Sequence, residues 1–159
     1  MADGTAPALL MTKPTWLISQ VSAHAHAVMA GRLGSVHARG YHFRVLAALA
    51  EFGPASQASL GRRADMDRSD VTAAVGELAA AGLVRRAADA GDRRRNIVTI
   101  TDPGLVRLRE LDNILAAVQD EVLAPLSADE RSVLTGLLTR VLERRRAETQ
   151  SDPRPDREL

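Results

Sequence analysis

The amino-acid sequence predicts a mainly α-helical fold that carries one small β-hairpin. Three observations lead to this prediction. Apolar residues recur at three- and four-residue intervals over most of the 159 residues, as they do on the buried faces of helices. Two short segments with good N-capping residues follow each other within about 26 residues. Directly after them, between Leu83 and Ile100, the apolar period changes to two, which is typical of β-strands.

We expect the first long helix over residues 15–33, where apolar side chains fall on one face. A second helix is expected from Tyr41 to Phe52, because Gly53 and Pro54 interrupt the helical pattern.

The next two predicted helices are short. Ser56 is a suitable N-cap for a helix over Gln57–Ala64, and Asp67 can cap the following one. Gly82 stands where a helix ends in a left-handed residue. Two capped helices joined by a tight turn are typical of a helix-turn-helix.

A two-stranded hairpin is expected next, with strands at Leu83–Ala87 and Asn96–Ile100 and a turn that contains Gly91. A hairpin directly after a helix-turn-helix is a wing. Thr101 then caps a long helix that runs to about residue 124, and Ser127 forms a capping box at the start of a final helix.

The predicted organisation is a winged helix-turn-helix flanked by long helices that need a partner surface, as in a homodimer. The boundaries are a flexible N-terminus (1–13), one domain (14–149) with helical dimerisation regions (14–52 and 102–149) and a DNA-binding region (55–101), and a disordered tail (150–159).

Composition excludes several classes of protein. The absence of cysteine rules out disulfides, thiolate nucleophiles and Cys-ligated zinc. No apolar run reaches the roughly 18 residues of a membrane span, so a cytoplasmic protein is expected. The acidic residues are scattered and no nucleophile elbow or phosphate-binding loop occurs, so we expect neither an enzyme nor a cofactor.

The net charge of +1 conceals a local excess of arginine around the hairpin. A narrow basic tip can enter the minor groove of DNA, with Arg94 as the first choice for insertion and Asp92 orienting it. The alternative is a solvated, charged turn. The expected wing residues are Arg85, Arg86, Asp92, Arg93, Arg94 and Arg95.

The helix after Asp67 is the expected recognition helix, because its first turns are polar and would reach base edges. Arg68 suits a guanine, Ser69 and Thr72 suit bases or phosphates, and Asp70 is more naturally a helix-capping anion than a base reader. The further candidates are Ala73, for a thymine methyl group or simple fit, and Gln57, Ser59 and Arg62, for phosphates.

These motifs together resemble the MarR family of bacterial transcriptional regulators. The specific parts are Gly82-Leu83-Val84-Arg85-Arg86, then Asp92-Arg93-Arg94, then Val98-Thr99-Ile100-Thr101. The resemblance implies a homodimer that binds a pseudopalindromic double-stranded DNA operator and is often released from it by a small anionic or aromatic ligand. Many relatives carry a basic residue where Ala73 stands, so recognition is expected to depend more on Arg68 and the wing.

An effector pocket is the least specified part of the prediction. Its candidate residues are Trp16, His24, His37, Tyr41 and His42, each of which can equally be an ordinary structural side chain. His24 and His26 point about 200° apart on a helix, which argues against a shared metal ion, and we expect no metal site.

The sequence therefore predicts a sequence-specific DNA-binding regulator, more naturally a repressor, that a small molecule releases. Two alternatives stay open: a zinc- or other metal-responsive regulator, and a winged-helix module that docks proteins or ligands without an operator.

Overall fold

The computed structural model describes residues 6–88 and 96–151, with side chains described as far as residue 147. The elements in chain order are α1 (Ala8–Met11), α2 (Pro14–Gly34), α3 (Gly40–Phe52), β1 (Ala55–Ser56), α4 (Gln57–Ala64), α5 (Arg68–Ala80), β2 (Val84–Ala88), β3 (Asn96–Ile100), α6 (Asp102–Val122) and α7 (Ala128–Ser151). The mainly helical fold with a small β-wing is confirmed.

The predicted capping residues explain where the central helices begin. The backbone N–H of Ser59 donates to Ser56 Oγ (3.3 Å) at the start of α4. At the start of α5, the N–H of Asp70 donates to Asp67 Oδ1 (2.9 Å). Each bond satisfies an N–H group that the helix itself leaves unpaired. Gly82 has φ 72° after α5, as expected of a left-handed residue.

Two short elements depart from the sequence-based expectation. A helical turn, α1, lies within residues 1–13, where no helix was expected. Within the described residues, the sheet has three strands in the order β1-β3-β2, where a two-stranded hairpin was expected. The additional strand pairs antiparallel with β3, with Ala55 opposite Val98. A two-residue strand is too short to show an alternating pattern, so periodicity could not predict it.

The hydrophobic core is centred on α3. Val45, Leu46 and Leu49 are almost completely buried there. They belong to one cluster with buried residues of the elements around them: Leu33 of α2, Leu60 of α4, Val71, Val75 and Leu78 of α5, Val98 of β3 and Leu111 of α6. The helix-turn-helix and the wing therefore both pack against α3.

The chain divides into two compact units, residues 1–122 and 123–159. In the second unit, the N–H of Ser127 donates to Glu130 Oε2 (2.8 Å) and the N–H of Glu130 donates to Ser127 Oγ (3.3 Å). This reciprocal pair is the predicted capping box at the start of α7. Among the described residues, no helix is both long and apolar enough to cross a bilayer.

Candidate nucleic-acid interface

The turn between α4 and α5 begins with a left-handed residue. Asp65, the residue after α4, has φ 51° and ψ 56°. The N–H of Met66 donates to the carbonyl of Gly61 (2.9 Å). From α3, Arg44 Nη1 donates to the carbonyl of Asp65 (3.3 Å). The turn is therefore held by a backbone hydrogen bond and by one side-chain hydrogen bond from α3. Together they fix the direction of α5 relative to α4.

The N-terminal end of α5 presents a polar surface. Val71 and Val75 anchor the helix in the core, and the opposite face is open to solvent. Ser69 Oγ donates to Asp67 Oδ1 (2.7 Å), next to the capping bond from Asp70. The backbone N–H of Asp70, and after it the Ser69 hydroxyl, lower the pKa of Asp67, which stays an anion at the helix start. All five predicted recognition residues are exposed: Arg68, Ser69, Asp70, Thr72 and Ala73.

Two of the predicted DNA contacts meet across the helix-turn-helix. Thr72 Oγ1 lies 3.2 Å from Gln57 Oε1, which joins the first residue of α4 to the second turn of α5. Ser59 is half-buried and Arg62 is exposed on the same helix, α4. The polar start of α4 and the reading face of α5 therefore share one surface.

The wing begins with two exposed arginines on β2. Arg85 pairs in register with Thr99, and Arg86 with Val98. The Arg86 guanidinium lies over α5, because its Nη2 is 3.4 Å from the place a Cβ on Gly76 would take. The other predicted wing residues, Asp92, Arg93, Arg94 and Arg95, fall outside the described residues.

Thr101 joins the end of α5, the base of the wing and α6. Its N–H donates to the carbonyl of Leu83 (3.1 Å) and its hydroxyl donates to the carbonyl of Gly82 (2.8 Å). The N–H of Gly104 donates to Thr101 Oγ1 (3.2 Å), which makes Thr101 the predicted cap of α6. The recognition helix and the wing are thus fastened at one point to the long helix α6.

Two cavities lie next to the C-terminal half of α5. One, of about 640 Å³, is lined by α2 and by the start of α3, including His26, Met29 and Arg39. The other, of about 350 Å³, is lined on the α6 side by Arg107 and Leu111. Both include His37 and Glu77 in their walls. A small organic molecule fits a space of this size.

Of the predicted pocket residues, His37 and His42 line these cavities. Tyr41 lies beside them, because its hydroxyl donates to Glu77 Oε1 (3.3 Å). Trp16 and His24 line neither cavity. His26, and not the predicted His24, lines the cavity of about 640 Å³. Residues two positions apart on a helix point to different sides, so only one of these two histidines faces the cavity.

His42 is a buried histidine held by two hydrogen bonds. Its Nδ1 accepts from the N–H of Arg39 (3.2 Å), so Nε2 carries the proton and donates to Glu77 Oε2 (2.8 Å). Burial lowers the pKa of His42 more than the Glu77 carboxylate raises it. Burial acts to raise the pKa of Glu77, but the bond from His42 and the nearby positive charges leave it below its ordinary value.

Comparison with known proteins gives one consistent family. The model of the MarR family matches residues 37–95. A solved probable transcriptional regulator from Pseudomonas aeruginosa is 31% identical and covers 83% of this chain and 98% of its own, with a TM-score of 0.73. PcaV from Streptomyces coelicolor, solved in complex with its natural ligand, is 30% identical over 87% of this chain and 98% of its own, also at 0.73. The chain belongs to the MarR family.

Among curated MarR-type relatives, the transcriptional repressor NicR of Pseudomonas putida is 32% identical over 101 residues, which are 64% of each chain. The chain spans somewhat less than two thirds of the curated relatives it matches. The predicted family and the predicted winged fold are confirmed, and these relatives support a DNA-binding regulatory function.

Sequence reasoning missed Glu77 and Arg107 of this MarR-family chain. Glu77 lies 35 positions from His42 and was assigned to no site, because a polar residue on a helix carries no signal of what it will face. Arg107 Nη2 donates to the carbonyl of Val36 and Nη1 to Glu110 Oε2 (3.0 Å), so a core contact holds it at the cavity wall. Among the described residues, no group of three or more His, Asp or Glu side chains is placed to hold a metal ion.

Proposed function

We propose that the protein is a homodimeric transcriptional repressor that binds a pseudopalindromic DNA operator in the cytoplasm. The observation that carries this proposal is the exposed polar start of α5, capped by Asp67 and joined to α4 through Thr72 and Gln57. In a helix-turn-helix, this end of the second helix enters the major groove and reads base edges. The wing strands stand beside it and continue into the arginine-rich segment.

Each contact has a proposed role. Arg68 reads a guanine and Ser69 a neighbouring base or phosphate, whereas Gln57, Ser59 and Arg62 hold the phosphate backbone. Asp70 acts as an anion in the first turn of α5, where negative charge is favourable. Arg85 and the wing arginines contact the flanking minor groove and its phosphates.

Binding to a pseudopalindromic operator needs two copies of the chain. A two-fold dimer places its recognition helices about 34–36 Å apart, one turn of B-form DNA, so each operator carries two inverted half-sites. The long helices α2, α6 and α7 supply the dimer surface, since each leaves large apolar side chains exposed in one chain, among them Ile18, Val106 and Leu137.

The proposed signal for release is a small anionic or aromatic molecule. The cavities next to Glu77 offer histidines and Arg39 as polar partners within largely apolar walls. PcaV, a relative that covers most of the chain, has a natural ligand. A ligand that binds here and favours a different position of α5 lowers the affinity for the operator.

Selection of DNA from a random pool tests the proposal. An inverted repeat should be enriched, and light scattering of the complex should give two chains per duplex. Arg68→Ala should weaken preference at one base position by about 1–3 kcal/mol, whereas Arg94→Ala should weaken all sequences and flatten the salt dependence. A pool that stays random, or equal losses on specific and random DNA for Arg68→Ala, would contradict it.

A further inference from the structure

Thr72 occupies the middle of the surface that the proposed function assigns to DNA. It is exposed, one helical turn after Arg68, and Ala73 stands beside it. Arg68, Ser69, Thr72 and Ala73 line one open concave surface at this end of α5. A side chain in this position reaches base edges in the major groove, and its chemistry decides which edges it favours.

The hydroxyl of Thr72 already has two protein partners. Oγ1 lies 2.8 Å from the carbonyl of Arg68, one turn earlier in α5, and 3.2 Å from the side-chain amide of Gln57. A hydroxyl has a single hydrogen. That hydrogen serves the Arg68 carbonyl, the common back-bond of threonine in a helix. Gln57 Oε1 is a second acceptor at 3.2 Å, so the protein itself holds the one proton that the hydroxyl can donate.

Because this proton is held within the protein, the Thr72 hydroxyl has none to donate to a base or a phosphate, and the γ-methyl remains as the apolar contact group of the side chain. We infer that Thr72 reads the C5-methyl group of a thymine by apolar contact and donates no hydrogen bond to a base. The inference rests on the proposed function. It replaces the expectation from sequence that the Thr72 hydroxyl bonds a base or a phosphate, and it makes Thr72 a specificity-determining residue of each half-site.

The chemistry of the major groove makes this contact selective. Thymine presents a methyl group there, whereas unmodified cytosine presents a bare C5–H and an amino donor. Burying one methyl-sized group contributes about 0.8 kcal/mol, so loss of the contact should weaken binding about three- to fivefold for each half-site. The Ala73 methyl lies next to Thr72 and is the second possible source of such a contact, which makes it the necessary control.

The test replaces each thymine of the selected operator, in turn, by deoxyuridine, which lacks only the methyl group. The dissociation constant is measured by fluorescence anisotropy. With the unaltered protein, one symmetry-related thymine should show the three- to fivefold loss per half-site. Thr72→Ser keeps the hydroxyl but removes the γ-methyl, and it should bind thymine and uracil equally at that position. Thr72→Val keeps the methyl but removes the hydroxyl, and it should retain the discrimination.

Four outcomes would overturn the inference. These are a uracil scan that is flat for the unaltered protein, discrimination that persists in Thr72→Ser, discrimination that is lost in Thr72→Val, and discrimination that is lost only in Ala73→Gly. Circular dichroism of each variant checks that the helical structure is intact. Thr72→Ser removes only the methyl group and Thr72→Val only the hydroxyl, so the two variants separate the contributions of these groups. Failure of the proposed function is a separate result: then no operator is enriched at all, and the inference fails with it.

Discussion

His42 is a buried titratable side chain in the described part of the chain, and its environment makes stability depend on pH. Because burial lowers its pKa, the folded protein favours neutral His42, whereas the unfolded chain takes up a proton near its ordinary value of 6.5. As the pH falls below 6.5, the unfolded state binds more protons and stability is lost until the folded pKa is reached. Below that pH, His42 contributes no further loss.

We therefore predict that the free energy of unfolding decreases between pH 7 and 5, and that His42→Gln flattens this decrease. One such group contributes a slope of at most about 1.4 kcal/mol per pH unit. Urea denaturation at several pH values measures it. His24→Gln, which replaces an exposed histidine, is the matched control. An unchanged slope in His42→Gln would show that another group is responsible.

Asp65 is the left-handed residue of the helix-turn-helix turn. A left-handed conformation costs an L-residue about 1–2 kcal/mol, less for aspartate and almost nothing for glycine. Its φ of 51° therefore predicts that Asp65→Gly has equal or higher stability, and that Asp65→Ala is less stable by up to about 1 kcal/mol. Thermal unfolding of the two variants decides this. The bond from Arg44 goes to the backbone carbonyl, so both variants keep it. Equal stabilities of the Gly and Ala variants would exclude strain at this turn.

Local signals in the sequence predicted the longer helices and the two wing strands, but they did not predict the short elements α1 and β1 or which elements contact each other. Ser56, Asp67 and Thr101 could be identified as caps because a capping bond spans only three residues. Two other hydrogen bonds join elements that are distant in sequence. One links His42 to Glu77, and the other links Arg44 to the turn between α4 and α5. Such contacts depend on how α3 packs on α5, which periodicity alone does not fix.

The junction between α5, the wing and α6 depends on a close approach of two backbones. A Cβ on Gly104 would lie 2.1 Å from the carbonyl oxygen of Leu83 and 2.8 Å from Ile100 Cγ1. The oxygen belongs to the backbone, so it cannot rotate away as a flexible side chain can. The junction that orients the recognition helix and the wing therefore requires glycine at this position.

Gly104→Ala should lower the free energy of unfolding by about 1–3 kcal/mol, because the chain must shift to admit the methyl group. Gly76→Ala is the matched control. Its Cβ would meet only the flexible end of Arg86, at 3.4 Å, and alanine in a helix interior gains about 0.5–1 kcal/mol over glycine. Urea denaturation compares the two. A stable Gly104→Ala variant would show that the junction is looser than described.

The final helix α7 carries a row of large apolar side chains that one chain leaves open. Val133, Leu137 and Val141 stand four residues apart, hence on one face, and they are 61%, 51% and 65% exposed. Leu138 and Leu142 widen the row. An apolar stripe of this length is unusual for the surface of a monomer and is typical of a subunit interface.

Leu137→Glu should therefore convert the proposed dimer to a monomer, because a carboxylate in an apolar interface must be desolvated or leave it. Sedimentation equilibrium measures the change, and Leu137→Met, which keeps an apolar side chain of similar size, should remain dimeric. A monomer holds one recognition helix, so its affinity for a two-half-site operator should fall steeply while its helical circular dichroism persists. If Leu137→Glu stays dimeric and binds the operator normally, α7 does not form the interface, and the two recognition helices are joined by another surface.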